Sequence, residues 1–326
     1  MDKLIFNEIN ERARHDEPFV FAISYDGDEA YIRSVSDVDA SECLYDFRGF
    51  TNYVREEMPE SVARDFSWDV TPPSFDAYKR GFGVVRSNIL RGDSYLTNLT
   101  CEVPVRCNLS LRDIFARAAG KYKLMLGGRF VCFSPEPFVR IRGGRISSFP
   151  MKGTAPSISP DSLSQLMANQ KEAAEHATIV DLIRNDLSRV ASGVKVEKYR
   201  YAEVVATNRG PLIQTSSHIS GSLPADYRFH TGDILEALLP AGSVTGAPKD
   251  KTLDIISQAE TYERGFYTGI MGVCARGELD SAVMIRFIEV GEGGELVFKA
   301  GGGITSRSEC DKEYEEVIQK TYLPIV

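Results

Sequence analysis

The sequence has few cysteines, no long apolar run and no concentration of positive charge, and each absence argues against a class of protein. Its six cysteines are scattered through 326 residues without a Cys-x-x-Cys pair, which favours reduced thiols in a cytoplasmic protein over disulfides or a zinc site. No apolar run approaches the length of a membrane span, and the first residues lack the apolar core of a signal peptide. The formal net charge of −8 argues against a nucleic-acid partner.

The residues that are present predict a layered fold with one large core or two small ones, since 43% of them are hydrophobic. Short alternating runs predict antiparallel strands, and helical patterns at Phe75–Arg91 and Ser162–Val190 separate them. A charged stretch at Tyr45–Glu57 also predicts a helix, and the run Ala282–Val290 predicts a single strand. This arrangement favours an α+β fold over a doubly wound parallel sheet.

Two pairs of glutamates have a spacing that matters for metal binding. Glu172 and Glu175 lie three residues apart in one helical pattern, and Glu313 and Glu316 have the same spacing in the last helical pattern. A spacing of three places both carboxylates of a pair on one face of a helix. Two such faces together would form an all-oxygen site suited to Mg²⁺, with positions left open for a substrate carboxylate. Spacing alone, however, favours a solvated acidic helix face.

The segment Leu238–Lys249 is the most informative of the chain. It places Gly, Pro, Ser and Thr between an apolar run and the helical pattern Asp250–Glu260. Such a stiff loop can present backbone N–H groups and hydroxyls to an anion near a helix start. It has neither the spacing of a phosphate-binding P-loop nor a Gly-x-Gly-x-x-Gly motif, so its composition identifies no nucleotide site.

As a string, Leu238–Lys249 resembles the signature of the chorismate-utilising enzymes. That family includes the first components of anthranilate synthase and aminodeoxychorismate synthase, and the isochorismate and salicylate synthases. The resemblance extends from about residue 75 to the C-terminus. It implies a layered sandwich of two antiparallel β-sheets with helices packed outside, as in anthranilate synthase component I. Within that fold, residues 1–74 would be a shortened N-terminal part and residues 75–326 the chorismate-binding catalytic region.

The run Phe149–Thr154 contains the residue that separates the branches of the family. Its Pro-Met-Lys152-Gly-Thr resembles the Pro-Ile-Lys-Gly-Thr of aminodeoxychorismate synthases, whereas anthranilate synthases usually carry a small residue in place of the lysine. The resemblance implies that the Lys152 amine attacks C2 of chorismate while the C4 hydroxyl leaves, and that ammonia then enters at C4 and displaces the lysine. A lysine on such a turn is otherwise a surface residue, and it becomes a nucleophile only when its surroundings leave the amine neutral.

The resemblance also assigns the acids. Ser134-Pro-Glu136-Pro-Phe138 is similar to the family's Ser-Pro-Glu-Arg-Phe, which makes Glu136 the general acid that protonates the departing hydroxyl. Such an acid needs a pKa raised towards neutrality. The family pattern makes Glu175 and Glu316 direct Mg²⁺ ligands, and Glu172 and Glu313 their supporting acids.

Substrate contacts are likewise implied by the resemblance. Ser243 would supply a hydroxyl, and Tyr267 and Arg286 would bind the enolpyruvyl carboxylate. Gly302 and Gly303, in a run similar to the family's Ala-Gly-Gly-Gly-Ile, would offer backbone N–H groups to an anion. From the residues alone, Arg286 could equally be a strand arginine that points outward.

Gln214 stands where many family members carry a catalytic histidine that is associated with pyruvate elimination in anthranilate synthesis. Glutamine cannot titrate but can still hydrogen-bond, so this position weakens the prediction of anthranilate synthesis and leaves Gln214 as a substrate contact. His218 lies four residues further on, and strand alternation predicts that it shares a face with Gln214.

Together these residues predict the activity of an aminodeoxychorismate synthase component I, which aminates chorismate at C4 on the way to para-aminobenzoate and folate. The chain has no Gly-x-Cys-x-Gly motif, so the ammonia would come from a separate glutamine amidotransferase subunit. Two alternatives remain open at this point: anthranilate synthase component I, and a relative that binds chorismate without turning it over.

Overall fold

The computed structural model describes residues 1–54, 66–156, 161–205 and 212–325. Within these ranges eighteen strands form two antiparallel sheets that face each other, with helices on the outer face of each sheet. The strands are β1 (Phe19–Ile23), β2 (Ala30–Ser34), β3 (Cys43–Phe47), β4 (Phe50–Thr51), β5 (Trp68–Val70), β6 (Leu96–Cys107), β7 (Tyr122–Leu126), β8 (Phe130–Ser134), β9 (Pro137–Arg142), β10 (Arg145–Ser148), β11 (Met151–Pro156), β12 (Ser192–Val205), β13 (Leu212–Ser222), β14 (Gly246–Ala247), β15 (Ile270–Ala275), β16 (Glu278–Val283), β17 (Phe287–Val290) and β18 (Leu296–Ile304).

The helices divide between the two outer faces. The helices are α1 (Lys3–Arg14), α2 (Phe75–Arg91), α3 (Leu111–Arg117), α4 (Ser162–Ala168), α5 (Gln170–Ser188), α6 (Thr231–Leu238), α7 (Lys249–Ala259) and α8 (Cys310–Lys320). Apolar side chains of α1, α5 and α6 pack on the first sheet, which contains β1, β2, β9–β13, β15 and β16. Those of α2, α3, α7 and α8 pack on the second sheet, and a third cluster fills the space between the sheets. The structure therefore confirms the predicted α+β sandwich.

Residues 1–74 contribute strands to both sheets. In the first sheet β1 pairs with β15, so that Phe19 lies opposite Cys274. In the second sheet β3 pairs with β7 and β5 pairs with β6. Strands β1 and β3, whose residues are almost all buried, tie the N-terminal segment to the rest of the chain.

Helix α2 has the bounds predicted from the sequence, and capping residues fix both of its ends. The Ser74 hydroxyl accepts a hydrogen bond from the Ala77 N–H, and Gly92 ends the helix in the left-handed conformation at φ 88°. Among the helices in the described ranges, none is long and apolar enough to cross a membrane.

Three predicted elements differ from the structure. Residues 43–47 and 50–51 are strands rather than the start of a helix, because Tyr45 pairs with the distant Leu124 in the second sheet; residues 55–57 lie outside the described ranges. The run Ala282–Val290 is not one strand, since its middle residues cross from β16 in the first sheet to β17 in the second. The long helical pattern is divided at Asn169, whose side chain caps α5 by accepting the Glu172 N–H.

Candidate active site

A bulge in β11 presents Lys152. Met151 pairs with Ser216 and Thr154 with Gln214, so two residues of β11 lie opposite the single residue Thr215. Bulges of this kind bend a strand and redirect its side chains. Gly153 adopts φ 91°, and a Cβ atom there would come within 3.2 Å of a carboxylate oxygen of Glu172, so the close approach and the left-handed backbone both require glycine.

The Lys152 amine lies among the predicted acids. Its Nζ is 3.0 Å from Oε2 of Glu175, on the helix α5 that packs over β11. Although burial lowers the pKa of Lys152, the carboxylates of Glu175, Glu316 and Glu172 outweigh burial and raise it above its usual value. The arrangement therefore holds the amine protonated in the metal-free chain, whereas a nucleophile must be neutral.

Glu136 and Ser243 lie together on another wall of the site. Glu136 follows β8, and Ser243 lies in a short 3-10 turn at Gly242–Val244. Burial raises the pKa of Glu136 above its usual value, although a hydrogen bond with Ser243 and the charges of Lys320 and Lys152 oppose that rise. A carboxyl group in this setting retains its proton at higher pH than a solvated one, as a general acid requires.

The two acidic pairs face the same region from α5 and α8, and one glutamate of each, Glu175 and Glu316, is paired with a lysine. Oε1 of Glu316 is 2.7 Å from Nζ of Lys320, and the charge of Lys320 lowers the pKa of Glu316 even though burial raises it. Burial is the largest cause of a raised pKa at Glu313. Within the ranges that the structure describes, no three acidic, histidine or cysteine side chains come close enough together to hold a metal ion. The donor set of four carboxylates nevertheless matches what Mg²⁺ prefers.

Gly302 closes the site on the side of α8. A Cβ atom at Gly302 would lie 3.6 Å from Nζ of Lys320, 3.7 Å from Oε2 of Glu313 and 3.8 Å from Oε1 of Glu316. Strand β18 therefore runs directly beneath the second acidic pair, and a side chain here would fill the space between strand and helix. Gly303 pairs with Asn98 of β6 and lines the site.

Arg286 and Tyr267 lie at the far end of the site. Arg286 is in the crossing segment between β16 and β17 with φ 57°, not in a strand as predicted, which removes the outward-pointing strand alternative. Its guanidinium donates to the Lys320 carbonyl at 2.9 Å and lies over the Tyr322 ring at 5.2 Å. Tyr267 is buried with 3% of its surface exposed, and burial raises the pKa of its hydroxyl.

These residues surround two adjoining cavities of about 270 and 210 Å³. The first extends to Glu175 and the second to Tyr267, Arg286 and Gly302. The residues common to both are Glu136, Met151, Lys152, Ser243 and Gly303. Lys152 and Glu136 therefore stand where the cavities meet, and cationic side chains supply charge suited to an anionic ligand.

Gln214 is outside both cavity walls. It lies on β13 opposite Thr154 and Glu203, and its neighbour Thr215 is the residue that contacts Lys152. His218 stacks on the Phe149 ring at 4.7 Å, away from the cavities. The residues of the two cavity walls thus include eight of the predicted site residues: Glu136, Lys152, Glu175, Ser243, Tyr267, Arg286, Gly302 and Gly303. Gln214, Glu172, Glu313 and Glu316 are not among the residues that line them.

Sequence reasoning missed Lys320, which lines the second cavity and donates to the Gly301 carbonyl at 2.9 Å. A signal was available, since Lys320 lies four residues after Glu316, the spacing of a helical ion pair. Thr215 was missed because its role depends on the β11 bulge, which the sequence does not reveal.

The Leu238–Lys249 segment contributes Ser243 to the cavities and also anchors itself to α5. Nζ of Lys249 is 2.9 Å from Oδ2 of Asp186 and 2.8 Å from the Leu238 carbonyl oxygen. A Cβ atom at Gly242 would lie 2.6 Å from the same Asp186 oxygen, so only glycine allows this approach. Asp186 and Lys249 thus form a buried polar pair that joins this segment to α5.

Comparison with known proteins agrees with this geometry. The sequence pattern of the family described as chorismate binding enzyme matches residues 5–325. An uncharacterised PabA-like protein of Haemophilus influenzae is 43% identical over 98% of this chain and 95% of its own length. Aminodeoxychorismate synthase component 1 of Salmonella typhimurium is 35% identical over 74% of this chain, which spans 55% of that protein. The structure of anthranilate synthase component I from Streptococcus pneumoniae matches with a TM-score of 0.66 and 26% identity, over 78% of this chain and 58% of that one. The chain therefore belongs to the family of chorismate binding enzymes.

Proposed function

We propose that this chain is an aminodeoxychorismate synthase component I, which replaces the C4 hydroxyl of chorismate with an amino group. The observation that carries the proposal is the position of Lys152, whose side chain lines both cavities with Glu136 on the same shared wall. A lysine and a shielded carboxyl group at one junction are what a covalent displacement needs, namely a nucleophile and a proton donor for the leaving group.

In the first step the neutral Lys152 amine forms a bond to ring carbon C2. Both ring double bonds shift by one position, the C4–O bond breaks, and the hydroxyl leaves as water with the proton from Glu136. In the second step ammonia bonds to C4, the double bonds shift back, and the C2–N bond breaks to release Lys152 as the neutral amine. The new ammonium group at C4 then returns a proton to the Glu136 carboxylate. The net change is chorismate plus ammonia to aminodeoxychorismate plus water.

Substrate binding follows from the charges around the second cavity. Arg286 and Lys320 provide positive charge for the substrate carboxylates, and the backbone at Gly302 and Gly303 is open to close approach because it carries no side chain. Ser243 lies beside Glu136, where its hydroxyl can orient both the acid and the substrate.

The four glutamates fit Mg²⁺ by donor type, with Glu175 and Glu316 as ligands and Glu172 and Glu313 in support. Bound there, Mg²⁺ would supply positive charge for a substrate carboxylate and give these glutamates a partner other than Lys152. With the glutamates bound to Mg²⁺, their negative charge would no longer stabilise the protonated Lys152 amine, and the neutral amine would be favoured.

Ammonia would come from a glutamine amidotransferase subunit. Anthranilate synthesis is the nearest rival, since it uses the same substrate with amination at C2. The geometry favours C4 amination, because the Lys152 amine occupies the cavity from which C2 would be attacked.

The test is mass-resolved chromatography of products formed by the purified chain from chorismate, Mg²⁺ and ammonium at mildly alkaline pH. We expect aminodeoxychorismate from the native chain and very little from Lys152→Ala. Lys312→Ala is the matched control, because Lys312 is an exposed lysine of α8 that pairs with Glu309.

Two results would overturn the proposal. Formation of anthranilate and pyruvate would make the chain an anthranilate synthase component I. Tight chorismate binding by calorimetry, without any product even when an amidotransferase subunit is added, would make it a non-catalytic relative.

A further inference from the structure

The backbone carbonyl of Lys152 is released from the sheet by the β11 bulge. Because Lys152 and Gly153 together face Thr215, the regular hydrogen-bond ladder is interrupted at this point. A carbonyl freed inside a protein needs another donor. Two side chains supply one: the hydroxyl of Thr215 and Nδ1 of His176, which is 3.3 Å away.

Helix α5 therefore contacts both the side-chain amine and the backbone carbonyl of Lys152. Glu175 contacts the amine at 3.0 Å, and the next residue, His176, contacts the backbone carbonyl. Successive helix residues point about 100° apart, so one turn of α5 can address the side chain and the main chain of the same lysine. His176 has no exposed surface and cannot reach the cavities itself.

His176 is held in turn by the sheet. Its Nε2 lies 2.7 Å from the Ser217 hydroxyl, which also accepts the Arg200 N–H at 2.8 Å. A carbonyl oxygen can only accept a hydrogen bond, so the contact to Lys152 requires the proton on Nδ1. Nε2 of the neutral ring then accepts from Ser217, and the three bonds form one chain of consistent polarity, from Arg200 to Lys152.

We propose that His176, oriented by Ser217, is a positioning residue that fixes the backbone at Lys152 and so aims its amine at the junction of the two cavities. This inference rests on the proposed function for the role of Lys152. It adds that the α5 histidine, buried behind the cavity wall, sets the geometry of the covalent step without touching substrate.

The first test compares His176→Leu, which removes the donor, with His176→Asn, whose amide N–H can replace Nδ1–H. We expect His176→Leu to lower kcat for aminodeoxychorismate by about 10- to 100-fold with KM changed less than about twofold, because misplacing a nucleophile slows the chemical step and leaves binding intact. His176→Asn should recover most of the loss. Ser217→Ala should show a smaller loss, and Ser281→Ala, another fully buried strand serine that bonds to Val139 instead, should show none.

A second readout does not depend on turnover. Limited acetylation of the folded, metal-free chain with acetic anhydride, read by peptide mass spectrometry, compares the reactivity of Lys152 with that of exposed Lys312. We expect the ratio to change by about threefold or more in His176→Leu and to return in His176→Asn, since the environment of a lysine sets its reactivity.

The outcomes separate the two proposals. A native chain that makes no aminodeoxychorismate refutes the function, while the labelling still tests the positioning. An unchanged kcat and labelling ratio in folded His176→Leu overturns the positioning role. A fall in kcat that is matched by weaker Mg²⁺ binding in calorimetry, or one that His176→Asn fails to recover, overturns it as well.

Discussion

Two lysine–carboxylate pairs on the same helix show how burial divides structure from function. Lys152 meets Glu175 and Lys249 meets Asp186, at 3.0 and 2.9 Å, both on α5. The first pair lines a cavity, with 38% of the lysine side chain exposed. The second pair borders a surface groove but is itself more buried, with 12% and 8% exposed, and the Leu238 carbonyl accepts a further hydrogen bond from its lysine.

The difference lies in what surrounds each lysine rather than in its partner. Burial lowers the pKa of Lys249 and raises the pKa of Asp186, and the opposite charge of each partner limits that shift. Lys152 has several carboxylates near it, which together raise its pKa. A lysine buried against one acid and a backbone carbonyl is a fixed link, whereas a more exposed lysine shared among several acids can change partners when a ligand binds.

The largest expected effects come from removing each lysine. Lys249→Met should lower the free energy of unfolding by about 3–5 kcal/mol, because it leaves Asp186 buried without a counter-charge. Lys152→Met should change the free energy of unfolding by less than about 1 kcal/mol, yet lower the rate of amination by about three orders of magnitude or more. Urea denaturation and product chromatography measure the two quantities.

The control for this pair of variants is the double replacement Asp186→Leu with Lys249→Met. Since the desolvation cost of both charges disappears, much of the lost stability should return. If Lys249→Met is as stable as the native chain, or Lys152→Met is the more damaging to stability, the division drawn between the pairs is wrong.

The next largest effect concerns Glu136. Glu136→Gln should lower amination by about 100- to 10,000-fold, the usual contribution of a general acid. The raised pKa of Glu136 means that folding favours its protonated form, so its contribution to stability is present at low pH and is lost as pH rises through the folded-state pKa. Glu136→Gln should therefore gain stability relative to the native chain as pH rises.

Urea denaturation at a series of pH values tests the second part. A difference in stability that is independent of pH would mean that the carboxyl group does not titrate with a raised pKa. Ser243→Ala is a useful companion, because it removes a hydrogen bond that lowers the Glu136 pKa and should extend activity to higher pH.

How far the sequence predicts this molecule depends on whether a feature is local. Helix α2 was predicted at Phe75–Arg91 from its helical pattern, and the residues that cap it in the structure, Ser74 and Gly92, directly adjoin that pattern in the chain. The strand at Cys43–Phe47 was missed because its partner is Tyr122–Leu126, which no local pattern announces. The unbroken apolar run around Met284 likewise conceals the crossing between sheets.

The candidate site follows the same rule. The acidic pairs were found from their spacing of three, and Glu136 and Lys152 from family motifs that are contiguous in sequence. The resemblance did not indicate that Gln214 lies outside the cavity walls. The contacts of Thr215 and Lys320 with the Lys152 and Gly301 carbonyls depend on a bulge and on packing of α8 against β18.

A smaller effect is expected for the metal. Glu316→Gln should weaken Mg²⁺ binding by about tenfold in calorimetric titration, since it removes one negative ligand of the proposed site. Glu309→Gln is the control, because Glu309 precedes α8 and pairs with exposed Lys312. Equal Mg²⁺ affinity in both variants would mean that α8 contributes no ligand to the metal site.

The smallest effect is expected for the exposed pair of Lys171 and Glu175. Lys171 lies 3.8 Å from Oε1 of Glu175 with 54% of its side chain exposed, four residues earlier on α5. A double-mutant cycle with Lys171→Ala and Glu175→Ala should give a coupling energy below about 0.5 kcal/mol, and about 0.5 M salt should remove it. The cycle with Lys249→Ala and Asp186→Ala should give a coupling of up to about 3 kcal/mol that salt barely changes, because the pair is shielded from solvent. If the two cycles agree within error, exposure does not decide what a lysine paired with an acid of α5 contributes. The distinction between a fixed link and a lysine free to change partners would then have to rest on the number of acids around each lysine.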